Sequence, residues 1–378
     1  MDSHSSSAAR RAARTPVFCT IVPPHVLDKL ARADDPHLSA AARRTLEHDA
    51  RERTRRHLTT LLGPVTAPAA GTAADKPQRT VYDAGHQDAL PGSKVRAEGA
   101  APSADASVNR AYDALGATFE TYLKAYGRHS IDDHGLPLVA SVHYLKGYNN
   151  AFWNGEQMVF GDGDGRIFLD FTLPLDVIGH ELTHGVTQYT ANLDYQGQSG
   201  ALNESVSDVF GSLIKQYAHG QTADQADWLI GAGLLAPGVH GVALRSMKAP
   251  GTAYDDPQLG KDPQPGSMSG YVHTSQDNGG VHINSGIPNR AFYLTAAALG
   301  GHAWEQAGQI WFDTLTGGKL SSEAEFADFA SATIAAATAR YGEGDQSRAV
   351  QAAWHEVGVK PAHGAGLPRQ QPGQHQEV

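Results

Sequence analysis

The chain has 378 residues, with 30 Lys and Arg against 40 Asp and Glu, a formal charge of -10 with histidine neutral. That balance argues against a basic nucleic-acid-binding face, and the single cysteine, Cys19, excludes an intramolecular disulfide framework or a cysteine-based zinc finger. No run of about 18 apolar residues is present, so no membrane-spanning helix is expected, while 19 histidines exceed what packing needs.

Residues 1–14 are rich in Ser, Ala and Arg, and the apolar stretch at 17–22 is short and ends in Pro23-Pro24. It lacks the apolar core of roughly 7–15 residues and the small-residue cleavage site of a secretory signal, so a basic leader is expected instead. Residues 39–62 read as one charged helix. Ser39 can cap it, and Leu46, Ala50 and Leu58 give a thin apolar stripe among Arg43, Arg44, Glu47, Arg51, Glu52 and Arg55. A low-complexity run of small residues at 63–74 follows, the kind of exposed linker where proteases cut. Helical periodicity returns at 108–126 through Ala111, Leu115, Phe119, Tyr122 and Leu123. Residues 138–146, 157–161 and 166–171 read as strands bounded by Gly-Asp turns. Beyond Leu175 nearly every periodic segment is helical: 176–190, 202–217, 289–299, 304–315, 322–341 and 346–357. Strands first and helices later predict an α+β chain with two lobes and a cleft between them.

His180-Glu181-Leu182-Thr183-His184 falls inside the first of these later helices. Positions i and i+4 share a helix face, so both imidazoles can reach one ion. Gly179, Val177, Ile178, Leu182 and Val186 mark the helix as buried, where unpaired histidines and Glu181 would be costly. Twenty residues on, Glu204 and Asp208 are four apart and share a face. One can ligate zinc while the other holds a ligand imidazole by its second nitrogen. Two histidines and one carboxylate leave the fourth tetrahedral position to water, the mark of a catalytic zinc site, and Glu181 can take that water's proton as it attacks an amide carbonyl. Residues 277–286 hold a Gly-Gly run that alone reads as an ordinary turn; the other reading is a His282 kept protonated by Asp277 and able to donate to an oxyanion.

Taken together, residues 180–184, 200–204 and 277–288 resemble the thermolysin family of zinc endopeptidases in wording and order. The match extends through residues 148–153, 161–165 and 244–247 and covers roughly 79–359. The resemblance implies a thermolysin-like fold, with an N-terminal mixed α/β lobe carrying an antiparallel sheet, a mainly helical C-terminal lobe, and zinc in the cleft. It implies one zinc ion on His180, His184 and Glu204, with Glu181 as general base and His282 and Tyr195 stabilising the oxyanion. Asp277 would orient His282, Asp208 would support His180, and Asn203 would belong to the same supporting layer. Asn150, Ala151, Phe152 and Trp153 would hold a protein or peptide substrate along an edge strand. Phe168, Val177, Ile230 and Leu244 would form the pocket for an apolar side chain just after the cut bond, and Arg245 would grip the carbonyl there. A neutral endopeptidase cutting before apolar residues is expected, as a monomer, with neither nucleic acid nor membrane as partner.

Residues 18–27 and 79–83 look like the narrower protealysin branch, whose members carry a short propeptide. The expected organisation is leader and propeptide at 1–62, processing region at 63–78, N-terminal lobe at 79–190, C-terminal lobe at 191–360 and a disordered tail at 361–378. The propeptide would act as intramolecular inhibitor and chaperone, and the mature enzyme would start between 70 and 79. Secretion follows from the family, although no signal is evident, and a cytoplasmic precursor is the alternative. The family's double calcium site corresponds here to Asp176, Lys215, Asp227, Leu229 and Ala232, with Val242 where a following turn carries Asp. A lysine ammonium replaces the ion, so that site is predicted absent. Residues 161–165 resemble a fragment of a calcium loop but read as a turn between strands. Cys19 is expected to be a small buried hydrophobe in the propeptide core; a thiolate occupying zinc's open position is the alternative.

Overall fold

Proline lacks an N–H and suits a helix's first turn, and Pro24 and Pro36 each open one: α1 (Pro24–Leu30) and α2 (Pro36–Leu61). The computed structural model describes residues 19–61, with side chains as far as Arg55, and 75–362. The basic segment 1–14, the linker at 63–74, the side chain of Leu58 and the tail from 363 onward lie outside the described residues. Asp35 caps α2, its Oδ1 accepting from the N–H groups of His37 and Leu38, whereas Ser39 donates to Ala31 O. The apolar stripe is also corrected. Ala50 is exposed and Leu46 half-buried, while Leu38, Ala41, Ala42, Thr45, His48 and Asp49 face inward.

Five strands form one sheet in the order β2-β1-β3-β5-β4: β1 (Arg79–Asp83), β2 (Ser93–Ala97), β3 (Leu138–Val142), β4 (Ala151–Trp153) and β5 (Met158–Phe160). The antiparallel pairing expected of it holds for the outer ladders, β1–β2 and β4–β5. The central ladders, β1–β3 and β3–β5, are parallel. Parallel neighbours need a crossover, and β2 with α3 (Ala106–Tyr126) lies between β1 and β3. Asp105 caps α3, and Gly127, with φ 65°, ends it. Residues 166–171 make no ladder strand. Asp164 Oδ1 accepts from the N–H groups of Arg166, Ile167 and Phe168, which turns the chain, and only Phe168 bridges Leu235.

The chain then becomes helical with α4 (Leu175–Gln188) and α5 (Gly197–His219). A Cβ on Gly211 of α5 would stand 2.5 Å from Asp176 O and 3.0 Å from His180 N, so a glycine is what lets the two helices approach this closely. Two short antiparallel pairs follow, β6 (Leu229–Ile230) with β7 (Arg245–Ser246) and β8 (Asp255–Asp256) with β9 (Gly260–Lys261). Then come α6 (Asp277–Asn284), α7 (Gly286–Leu299), α8 (Ala307–Thr316), α9 (Phe326–Tyr341) and α10 (Asp345–Glu356). One apolar cluster runs from Ile21, Val22, Leu27 and Leu30 through the sheet face to Trp311 and Trp354. No helix among the described residues is long and apolar enough to cross a membrane.

Candidate metal centre

The close α4–α5 approach sets His180 and His184 opposite Glu204, Asn203 and Asp208, all of them buried. His180 Nε2 and His184 Nε2 are 3.0 Å apart and lie 3.6 Å from Glu204 Oε2 and 3.5 Å from Glu204 Oε1, respectively. Each imidazole is fixed from behind: His180 Nδ1 lies 2.8 Å from Asp208 Oδ1, and His184 Nδ1 lies 2.8 Å from Asn203 Oδ1. Both Nε2 atoms therefore face the shared space. Burial drives His184 down to about 4, which keeps it neutral, the form that ligates a metal. Burial alone would raise Glu204, but the surrounding His282, His184 and His180 bring it down to about 2. The second carboxylate behaves oppositely. Glu181 is raised well above the carboxylate range by burial and by the Glu204 charge, and its Oε2 accepts from Trp153 N–H at 3.1 Å.

Across the cleft, the backbone of α6 is not helical at Asn278, Gly279 and Gly280, all at positive φ. This irregular turn brings Asp277 back onto His282, with Oδ1 2.7 Å from Nδ1 and Oδ2 accepting from His282 N–H at 2.9 Å. Burial opposes a charge on His282, but the Asp277 and Glu204 carboxylates outweigh it and hold the imidazole at about 9. Tyr195 OH donates to Glu204 Oε1 and lies 3.3 Å from His282 Nε2. Arg245 makes a two-pronged pair with Asp208, Nε to Oδ2 at 2.8 Å and Nη2 to Oδ1 at 2.7 Å. Asn289, which the sequence reading missed, also donates to Asp208 Oδ2, at 2.8 Å. The Ile230–Arg245 pairing of β6 with β7 places Ile230, Leu244 and Arg245 beside one another, and Phe168 and Val177 belong to the same buried apolar cluster as Ile230 and Leu244. Asn150, Ala151, Phe152 and Trp153 line the sheet edge at β4.

Segment 19–22 occupies this edge. Thr20 pairs antiparallel with Phe152. Cys19 is not packed as a hydrophobe: its Sγ donates to Glu204 Oε1 at 2.8 Å and lies 3.6 Å from His282 Nε2. Ligand atoms of Cys19, His180, His184 and Glu204 all lie within 4.8 Å of one another. Behind this segment, α2 presses polar groups onto the catalytic lobe. Asp49 accepts from Tyr148 OH at 2.5 Å and Asn150 Nδ2 at 3.0 Å, His48 Nε2 lies 2.5 Å from Tyr144 OH, and Thr45 Oγ1 accepts from Asn149 N–H. On the far side of α4, Lys215 Nζ reaches Asp176 Oδ2 at 2.7 Å, Asp227 Oδ1 at 2.8 Å and Leu229 O at 2.8 Å. In the 161–165 turn, Asp162 pairs with His143 at 2.8 Å, and Asp164 accepts from the N–H groups of residues 166–168 and from Asn149 Nδ2.

Residues 70–188 match the thermolysin metallopeptidase catalytic domain, and residues 191–359 match the thermolysin metallopeptidase alpha-helical domain. An extracellular metalloprotease of Pectobacterium carotovorum subsp. carotovorum is 52% identical over 343 residues, spanning 91% of this chain and 97% of that protein. A thermolysin of Alicyclobacillus acidocaldarius is 41% identical over 289 residues, 74% of this chain and 50% of its own length. Among solved structures, the precursor of protealysin, a metalloproteinase from Serratia proteamaculans, superposes with a TM-score of 0.82 at 52% identity, covering 90% of this chain and 99% of that one. The chain belongs to the thermolysin family of zinc-dependent metalloendopeptidases, on its protealysin side.

Proposed function

We propose that the chain is made as a latent proenzyme and that its processed form hydrolyses internal peptide bonds on the N-terminal side of apolar residues. The carrying observation is the convergence of His180, His184 and Glu204 with each imidazole fixed from behind. Two imidazoles and a carboxylate suit zinc. Glu204 Oε2 and Glu181 Oε1 are buried without a hydrogen-bond partner, as expected where an ion and a reacting water belong. When bound, zinc supplies Lewis-acid polarisation of the carbonyl under attack. Glu181, whose Oε1 is buried without a partner, takes a proton from the attacking water and hands it to the leaving nitrogen. His282, held charged by Asp277, and Tyr195 donate to the oxyanion. Asn150, Ala151, Phe152 and Trp153 hold the substrate main chain by strand addition, Arg245 binds the carbonyl after the cut, and Phe168, Val177, Ile230 and Leu244 take its apolar side chain.

Residues 1–62 form the propeptide, with Cys19 as a thiol latch on the metal ligands, and 63–78 is where it is severed from the lobes at 79–190 and 191–360. Export follows from relatives named as extracellular. Lys215 substitutes its ammonium for the family's double calcium. The test is casein cleavage by the processed protein, with zinc content and N-terminal sequence read on the same sample. One zinc per chain, inhibition by phenanthroline and a start between residues 70 and 79 are expected. Casein cleavage by metal-free protein would overturn the reading.

A further inference from the structure

Four main-chain contacts fix how the leader lies in the cleft. Ile21 N–H donates to Ala151 O at 3.2 Å, and Val22 N–H donates to Asn150 Oδ1 at 2.9 Å. Arg245 Nη1 donates to Ile21 O at 3.1 Å, and His282 Nε2 lies 3.2 Å from Thr20 O. The Ile21 side chain is fully buried, in the same apolar cluster as Phe168, Val177, Ile230 and Leu244. The polar groups assigned above to a substrate's main chain, on Asn150, Ala151, Arg245 and His282, thus meet their counterparts on the leader, in order. The carbonyl beside the oxyanion donor is that of Thr20, and the next residue supplies the apolar side chain and the carbonyl bound by Arg245. The Thr20–Ile21 bond therefore falls where a substrate's cut bond would lie. A pocket lined by Cys19, Thr20, Tyr195, Asp277 and His282 among others adjoins this point. What a substrate would not bring is the Cys19 sulfur, lodged among the metal-ligating atoms at 2.8 Å from Glu204 Oε1.

We infer that the leader is a substrate kept unreacted by its own thiol: Thr20–Ile21 is a latent self-cleavage bond, and Cys19 preserves it by filling the place of the reacting water. The inference rests on the reading of Glu181 as general base. With the thiol gone, the water oxygen bonds to the Thr20 carbonyl carbon and the Thr20–Ile21 carbon–nitrogen bond breaks. Thr20 is left as a carboxylate and both water protons end on the Ile21 amine, one of them through Glu181, so the atoms and charge balance.

The test uses the full-length, zinc-loaded chain as wild type, Cys19→Ala and Cys19→Ala/Glu181→Gln. Intact mass and N-terminal sequencing follow the bond, and amide hydrogen exchange follows the register without needing turnover. Cleavage yielding an Ile21 N-terminus is expected at least about 100-fold faster in Cys19→Ala than in wild type, and Glu181→Gln reverses it by about 10²–10⁴-fold. The Ile21 and Val22 amides stay protected in the double variant. Casein cleavage by Cys19→Ala with Thr20–Ile21 intact overturns this inference and leaves the base assignment standing. A zinc-loaded Cys19→Ala that cuts neither casein nor the leader overturns both. Loss of Ile21 and Val22 protection in the double variant also overturns it, because the thiol would then create the register rather than protect it.

Discussion

On the floor of the cleft, α4 and α5 meet with backbone nearly touching backbone at Gly211, and their buried polar groups are matched in place: Asp208 pairs with Arg245 and fixes the His180 imidazole, and Asp176 pairs with Lys215. The covering segment, residues 19–55, is held differently. It adds to a sheet edge through main-chain bonds and presses Thr45, His48 and Asp49 onto Tyr144, Tyr148, Asn149 and Asn150. Matched buried charges lock a permanent site, because removing one partner strands the other. Edge addition, polar side-chain contacts and the solvent-facing Asp35–Arg166 ion pair can be undone without unfolding the floor. Changes on the floor should therefore cost stability or chemistry, and changes under the cover should cost docking alone.

The largest expected effect is on chemistry. Glu181→Gln should lower casein cleavage by about 10²–10⁴-fold with zinc content unchanged by elemental analysis, since Glu181 is not among the grouped ligand atoms. Lys215→Ala strands the buried Asp176 carboxylate and should cost about 3 kcal/mol in denaturant unfolding. Calcium should not restore it if the lysine is the whole of that site. Gly211→Ala should cost about 1–3 kcal/mol, because the added Cβ meets backbone rather than a side chain that can swing away. A melting temperature unchanged in Gly211→Ala would show that the helices are not in close contact there.

The smallest effect belongs to the cover. Burial pushes Asp49 up to about 7, against Tyr148 and Asn150, which donate to it. An acid raised in the docked state contributes docking free energy that is complete below its free value of 3.8 and is lost as pH climbs to about 7. Protection of the Ile21 amide, corrected for intrinsic exchange, should therefore weaken across that window in Glu181→Gln precursor. Asp49→Asn should flatten the dependence and leave the unfolding of the floor unchanged.

The floor was legible in the sequence because its geometry is local. An i, i+4 pair of imidazoles and a second pair four apart at Glu204 and Asp208 specify a face each, whatever the rest of the chain does. His282 and Arg245 sit far from those helices in sequence; His282 stood out by its own Gly-Gly turn and Asp277, whereas Tyr195 and Arg245 were reached only through the resemblance to a family. Asn289 gave no signal, being one of several polar residues, with Arg290 and Thr295, on a mainly apolar helix. The cover was misread for a physical reason: α2 docks on a polar surface, so its buried face carries Thr45, His48 and Asp49, and a search for an apolar stripe selected the wrong side. Cys19 carried no spacing at all, and its partners lie 185 and 263 residues away in Glu204 and His282. Residues 166–171 have strand composition, yet the Asp164 side chain turns that backbone and its pairing stops at the single Phe168–Leu235 bridge.

The central claim is that one zinc ion sits among His180, His184 and Glu204 with the Cys19 sulfur as its cap in the precursor. Zinc-edge X-ray absorption on the full-length protein tests it most directly. The account predicts stoichiometric zinc with one sulfur neighbour at about 2.3 Å beside nitrogen and oxygen, and loss of that sulfur in Cys19→Ala. A precursor that carries no zinc, or whose zinc has no sulfur neighbour, would contradict it.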